Sequence, residues 1–128
     1  MSGLTFVLRP ESFCIHRLPR DAEIDHSRLR AASWYSVTRT EDELSVVAPE
    51  DIVPGPGDRA PGWSCLQIQG TLDLATVGVI AGISRILADA EISLFTISTY
   101  NTDYILIRTV DVAAAITALA AAGHTVTR

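Results

Sequence analysis

The stretch Ile97-Ser98-Thr99-Tyr100-Asn101-Thr102-Asp103-Tyr104-Ile105-Leu106 decides how this chain is read. Apolar and β-branched residues on both sides of a short polar run mark two strands joined by a turn. We read strands over 92–98 and 104–108, with residues 99–103 between them. The same pattern occurs earlier in the chain. A shift of 60 residues lays Tyr35-Ser36-Val37-Thr38 on Phe95-Thr96-Ile97-Ser98, and Leu44 to Val47 on Tyr104 to Ile107. The acidic run Glu41-Asp42-Glu43 then falls on Asn101-Thr102-Asp103. A shift of 51 lays Cys14-Ile15 on Cys65-Leu66. A repeat of this kind implies two copies of one supersecondary unit.

Outward from the hairpin, two helices are signalled. The first spans 74–90, with Asp73 as its N-cap and Val77, Ile80, Ile83 and Leu87 as an apolar stripe. The second spans 111–122, where Val112, Ala115, Ile116 and Leu119 recur at helical spacing and Gly123 ends the run. A short, weak helix is expected within 21–31. Further strands are read at 13–18, 34–40, 44–48 and 63–69, with weaker ones at 4–8 and 124–127. The segment Pro54 to Gly62, rich in proline and glycine, reads as a loop dividing the chain. The second half thus runs β-α-β-β-α-β, the ferredoxin-like order. The expected fold class is α+β: two such units with antiparallel sheets, residues 1–61 and 62–128, the first degenerate.

Composition narrows the function. The chain has 128 residues and a net charge of −5. All 10 basic residues are arginine. Without lysine there is no phosphate-cradling P-loop lysine, no Schiff base and no lysine general base. An acidic chain is a poor non-specific nucleic-acid binder, so no nucleic-acid partner is expected. The N-terminal residues lack the basic-then-apolar pattern of a signal peptide. The longest apolar run, Val77 to Ile83, is far below the roughly 20 residues of a membrane span, so no membrane partner is expected. Cys14 and Cys65 lie among alternating apolar residues and read as buried thiols. A cytoplasmic protein follows from these readings. His16, His26 and His124 are scattered, and none has metal-ligand spacing with another ligand residue. No metal, no cofactor and no catalytic cluster are expected. Trp34 and Trp63 read as core or interface aromatics rather than platforms for stacking a ligand.

Residues 63–128 resemble the ACT domain family, in particular the subgroup related to the CASTOR arginine sensors. Ile97 to Leu106 carries the resemblance through its Ser98-Thr99-Tyr100-x-x-Asp103-Tyr104 pattern. Gly78-Val79-Ile80-Ala81 is similar to the family's glycine at the start of its first helix, and Ala90 to Leu94 to its entry into the second strand. Trp34 to Thr40 and Glu43 to Val47 are similar to small bacterial members with tandem ACT-like units. The resemblance implies a regulatory protein rather than an enzyme. Its effector would be an amino acid or a similar small polar molecule. The chain would be a homodimer with the site shared between domains, acting on a regulated protein in trans. Carried over by position, Thr99, Tyr100, Thr102 and Asp103 would line the turn side of the pocket. Asp73, Thr76, Gly78 and Val79 would line the helix side, with Ser93 and Leu94 contributed by the partner. Where the arginine-sensing relatives have an acid two residues before the helix glycine, this chain has Thr76, so arginine is not the expected ligand.

Chemistry alone allows two readings of 98–103. Backbone N–H groups around Thr76 to Val79 could meet a carboxylate, and Asp103 an ammonium. Alternatively the segment is a solvated turn whose polar side chains satisfy the local backbone. A structural or interaction dimer of ACT fold that has lost its ligand is the corresponding alternative function.

Overall fold

The computed structural model describes residues 3–128. Residues 1 and 2, where the expected first unit and the reading of the N-terminus begin, lie outside it. The chain divides into two compact units, residues 11–63 and residues 1–10 with 64–128.

The unit 11–63 holds β1's successor strands. With β1 at Thr5–Leu8, the chain continues through β2 (Phe13–Leu18), a single helical turn α1 (His26–Leu29), β3 (Ser36–Arg39), β4 (Leu44–Pro49) and β5 (Asp58–Ile68). β2 pairs antiparallel with both β4 and the start of β5, and β4 pairs with β3. Alternation on β2 and β4 directs Leu18, Leu44, Val46 and Ala48 into one cluster with Leu29 of α1. The helix expected across 21–31 shrinks to four residues, capped by Asp25, whose side chain accepts from the Ser27 and Arg28 N–H groups. A face so short offers little apolar area to hold a longer helix.

Contrary to the loop expected over 54–62, β5 begins at Asp58. Phe13 faces Trp63 and Ile15 faces Ala60, so Cys14 alone opposes Pro61 and Gly62. A bulge accommodates the proline, which has no N–H to give the ladder, and Gly62 takes a positive φ of 85° there. The Gly62 N–H donates to Glu50 Oε2 at 3.0 Å, and the Ser12 hydroxyl donates to the same oxygen at 2.6 Å. The Ser12 hydroxyl, then the Gly62 amide, hold the Glu50 carboxyl below its usual range.

His16 lies on β2, in register with Val46 and Arg59, and is only 1% exposed. Among the described residues neither ring nitrogen has a hydrogen-bond partner. Burial, and then the Arg59 charge, lower its pKa.

The second unit continues through α2 (Val79–Asp89), β6 (Phe95–Ser98), β7 (Asp103–Arg108), a 3₁₀ turn at Thr109–Asp111, α3 (Val112–Ala121) and β8 (Thr125–Thr127). Its strands lie in the order β6-β7-β5-β1-β8. The βαββαβ order is present from β5 to β8, and β1 is inserted between its first and last strands. β1 pairs antiparallel with β5 and parallel with β8. The sheet is therefore not wholly antiparallel, and the first strand joins the C-terminal unit rather than the N-terminal one. Phe6, Leu66, Ile68, Ile105 and Ile107 from the strands meet Ile83, Leu87, Ala115 and Leu119 from the helices in one core. Burying each large aliphatic side chain contributes roughly 1.5–3 kcal/mol.

Helix α2 begins five residues later than expected. Val79, Ile83 and Leu87 face the core, whereas Val77 is 93% exposed and outside the helix. Spacing alone could not choose between Val77 and Val79 as the first buried position. Both helices end alike. Ile92 N–H donates to Leu87 O and Glu91 N–H to Ala88 O; His124 N–H donates to Leu119 O and Gly123 N–H to Ala120 O. This is the Schellman closure, which requires a left-handed residue just past the helix. Gly123 (φ 94°) and Glu91 (φ 60°) fill that place.

The internal repeat is a repeat of hydrogen bonds. Ser36 faces Val47 and Arg39 faces Leu44 in β3–β4; Phe95 faces Leu106 and Ser98 faces Asp103 in β6–β7. These registers superpose at a shift of 59, one less than the sequence comparison used. The turns agree as well. Thr40 N–H donates to Glu43 O at 2.9 Å, and Thr99 N–H donates to Thr102 O at 2.9 Å.

Candidate functional site

In the unit formed by 1–10 and 64–128, a cavity of about 340 Å³ opens between two segments. One is the connection 72–78 with the first turn of α2; the other is the β6–β7 turn with its flanking residues Ser98 and Asp103. The Leu72 N–H donates to the Asn101 carbonyl at 2.7 Å and ties the two together.

Asp73 does not cap α2. Its Oδ1 accepts from the Ala75 N–H at 2.8 Å and its carbonyl from the Thr76 N–H at 2.9 Å, so it closes its own turn. The N-cap is Gly78, with φ 90° and no side-chain capping bond. A Cβ there would meet nothing within 4 Å, so the glycine is required by backbone conformation and not by a close neighbour. The first-turn residues Val79, Ile80 and Ala81 of α2 border the cavity, and no side chain caps that helix start. The N–H groups of such a helix start favour negative charge.

On the other wall, the Ser98 hydroxyl donates to Asp103 Oδ1 at 2.5 Å. Thr99 Oγ1 donates to Thr102 O at 3.1 Å, and Thr102 Oγ1 donates to Ile68 O at 2.9 Å. Thr102 is buried, so its hydroxyl braces the turn on β5. Tyr100 is 78% exposed and Leu74 69%, and both line the cavity.

Of the sequence-derived positions, Asp73, Thr76, Gly78, Val79, Thr99, Tyr100, Thr102 and Asp103 all border this one cavity. Ser93 and Leu94 do not: Ser93 is exposed, and Leu94 packs partly buried on the core. Leu72, Leu74, Ile80, Ala81, Ser98 and Asn101 also line it. No local pattern marks Leu72 and Leu74 as lining residues, because packing of Leu72 on the core and its long-range bond to Asn101 bring that connection to the turn.

The lining offers two carboxylates, several hydroxyls, an amide and the positive end of a helix. It suits a small molecule carrying both charges. Among the described residues no cluster of three or more His, Cys, Asp or Glu could hold a metal ion. Among them also, no helix is long and apolar enough to cross a membrane.

Comparison with known proteins agrees with this architecture. Residues 59–121 match the ACT domain family, and residues 11–56 match a second family described as an N-terminal domain. No curated protein matches the chain. A solved protein from Agobacterium tumefaciens is 30% identical over 98% of this chain and 93% of its own, with a TM-score of 0.88. A Vibrio cholerae protein described as a possible transport protein is 18% identical over 94% of this chain and 91% of its own, with a TM-score of 0.74. The ligand-free regulatory subunit of aspartate kinase from Thermus thermophilus is 12% identical over 91% of this chain and 95% of its own, with a TM-score of 0.64. At these last two identities the likeness is one of fold. Residues 59–121 thus carry the ACT domain, within a chain that is 30% identical to the Agobacterium tumefaciens protein along nearly its whole length.

Proposed function

We propose that the chain is a regulatory ACT-domain protein without catalytic activity that binds an amino acid in the cavity between 72–81 and 98–103. One observation carries this reading: both segments that chemistry and resemblance single out converge on that cavity. The effector's carboxylate would lie at the first turn of α2, and its ammonium at Asp103 with Asp73 nearby. The regulatory subunit among the structural relatives supports the regulatory part of the reading.

We further propose two ACT-like units divided near residue 61, and a cytoplasmic homodimer that acts on another protein in trans. Ser93 and Leu94 are the residues a partner copy would present, since they are left outside the cavity. Sedimentation equilibrium tests the dimer: a species near 14 kDa that still binds an amino acid tightly refutes the shared site.

Thermal-shift measurement against the twenty amino acids tests the ligand. At a hundredfold excess over Kd, a ligand stabilises by about 2.7 kcal/mol. The alternative is an interaction dimer of ACT fold that has lost its ligand. It is favoured by the bonds that satisfy the turn internally, Ser98 to Asp103 and Thr102 to Ile68. Absence of a shift with every amino acid at millimolar concentration selects it.

A further inference from the structure

The internal repeat has a second cavity at its corresponding corner. In the unit 11–63, a cavity of about 530 Å³ is lined by Glu23, Ile24, His26, Val37, Arg39 and Leu44. Its hairpin wall is the pair Arg39–Leu44, which the 59-residue register equates with Ser98–Asp103 of the first cavity. Its other wall, Glu23 to His26, is the connection entering α1, as 72–78 is the connection entering α2. Each strand–helix–hairpin unit leaves a corner where the connection passes the turn end of the hairpin. The two corners differ in chemistry. A hydroxyl and a carboxylate line the first; a guanidinium and an isobutyl group replace them in the second.

From this we infer that the N-terminal unit carries its own ligand site, for a small zwitterion with a branched aliphatic tail. Arg39 supplies the anion-binding end. Its Nη1 donates to the Arg20 carbonyl and its Nη2 to the Ala22 carbonyl, the latter at 3.1 Å, and these bonds hold the guanidinium of this lining residue. Those bonds use two of the five N–H donors that a guanidinium carries, leaving others for a carboxylate. Glu23 supplies the opposite charge for an ammonium. Ile24, Val37 and Leu44 supply the apolar wall, and Val37 is 36% exposed for want of a cover. Both charges with an aliphatic surface select an amphoteric molecule over a simple acid or amine. This inference rests on the repeat and on this cavity, independently of the amino-acid site proposed for the other unit.

L-leucine is the probe, with 4-methylpentanoate and isopentylamine as analogues lacking one charge each. In ¹H–¹⁵N spectra of the full chain, leucine is expected to move the amide signals of Ile24, Val37 and Arg39, and each analogue to bind at least tenfold more weakly. Arg39→Gln and Glu23→Gln are each expected to weaken leucine binding at least tenfold. Asp103→Ala is expected to leave those shifts unchanged, which separates this site from the other. Should Arg39→Gln fail to fold, because it also anchors Arg20 and Ala22, the Glu23→Gln variant and the analogues decide. Absence of leucine shifts within 23–44 at 10 mM overturns the inference (a concentration about ten times a weak, millimolar Kd). So do shifts that survive Glu23→Gln, and analogues that bind as well as leucine.

Discussion

The Ser98 hydroxyl donates to Asp103 Oδ1 at 2.5 Å, directly across the β6–β7 ladder. The bond engages one oxygen of the half-buried carboxylate, which lines the cavity. Asp103→Ala is expected to weaken binding of the cognate amino acid by about 1–3 kcal/mol, the range for losing a bond to a charged group. Calorimetric titration beside a melting curve checks it. A variant that unfolds, from a wild type that binds nothing, would make Asp103 a structural turn residue only.

Gly78 holds φ at 90° where α2 begins, beside the first-turn N–H groups. An L-residue in that conformation costs roughly 1–2 kcal/mol, partly offset by a less flexible unfolded chain. Gly78→Ala is expected to lower stability by about 1 kcal/mol in urea unfolding. It should also reduce the stabilisation that an amino acid confers, because the helix start moves with its cap.

Past the ends of α2 and α3, Glu91 and Gly123 occupy equivalent left-handed positions. The strain at Glu91 is relieved in Glu91→Gly, at the expense of a more flexible unfolded state. The balance is a gain of about 0.5–1 kcal/mol. Gly123→Ala should lose a similar amount, since its Cβ meets open space and only conformation opposes it. Paired denaturation curves that move the same way for both variants would contradict this account of the caps.

Burial and then the neighbouring Arg59 depress the His16 pKa in the folded chain. The unfolded chain therefore takes up a proton near the ordinary value of 6.5 while the folded chain does not. Stability should be constant in this respect above that pH and fall as pH drops below it. The slope is at most about 1.4 kcal/mol per pH unit for one proton. His16→Leu should flatten the profile between pH 6.5 and the folded-state pKa, as followed by urea midpoints against pH.

Much of the architecture lay in local pattern. The strand 13–18 was legible to the residue as a short, largely apolar run closed by Pro19, and α3 to within a residue at each end because Gly123 stops it. The repeat was legible too, although matching apolar identities gave a shift of 60. The turn bonds of Thr40 and Thr99 show the true offset, which hydroxyls mark better than interchangeable β-branched residues do. Most of the candidate site residues were visible because they cluster in two short polar segments.

What sequence alone determined here is what short-range forces control: strand alternation, the helical stripes, the stop at Gly123 and the polar turn. Tertiary structure decided the rest. It starts α2 at Gly78 because Val79, not Val77, reaches the core. It extends β5 back to Asp58 because β2 offers a ladder and a bulge absorbs Pro61. It inserts β1 between β5 and β8, where Phe6 completes the buried cluster. Each outcome turns on which distant partner covers a given apolar or hydrogen-bonding face, and residue order along the chain does not encode that distance.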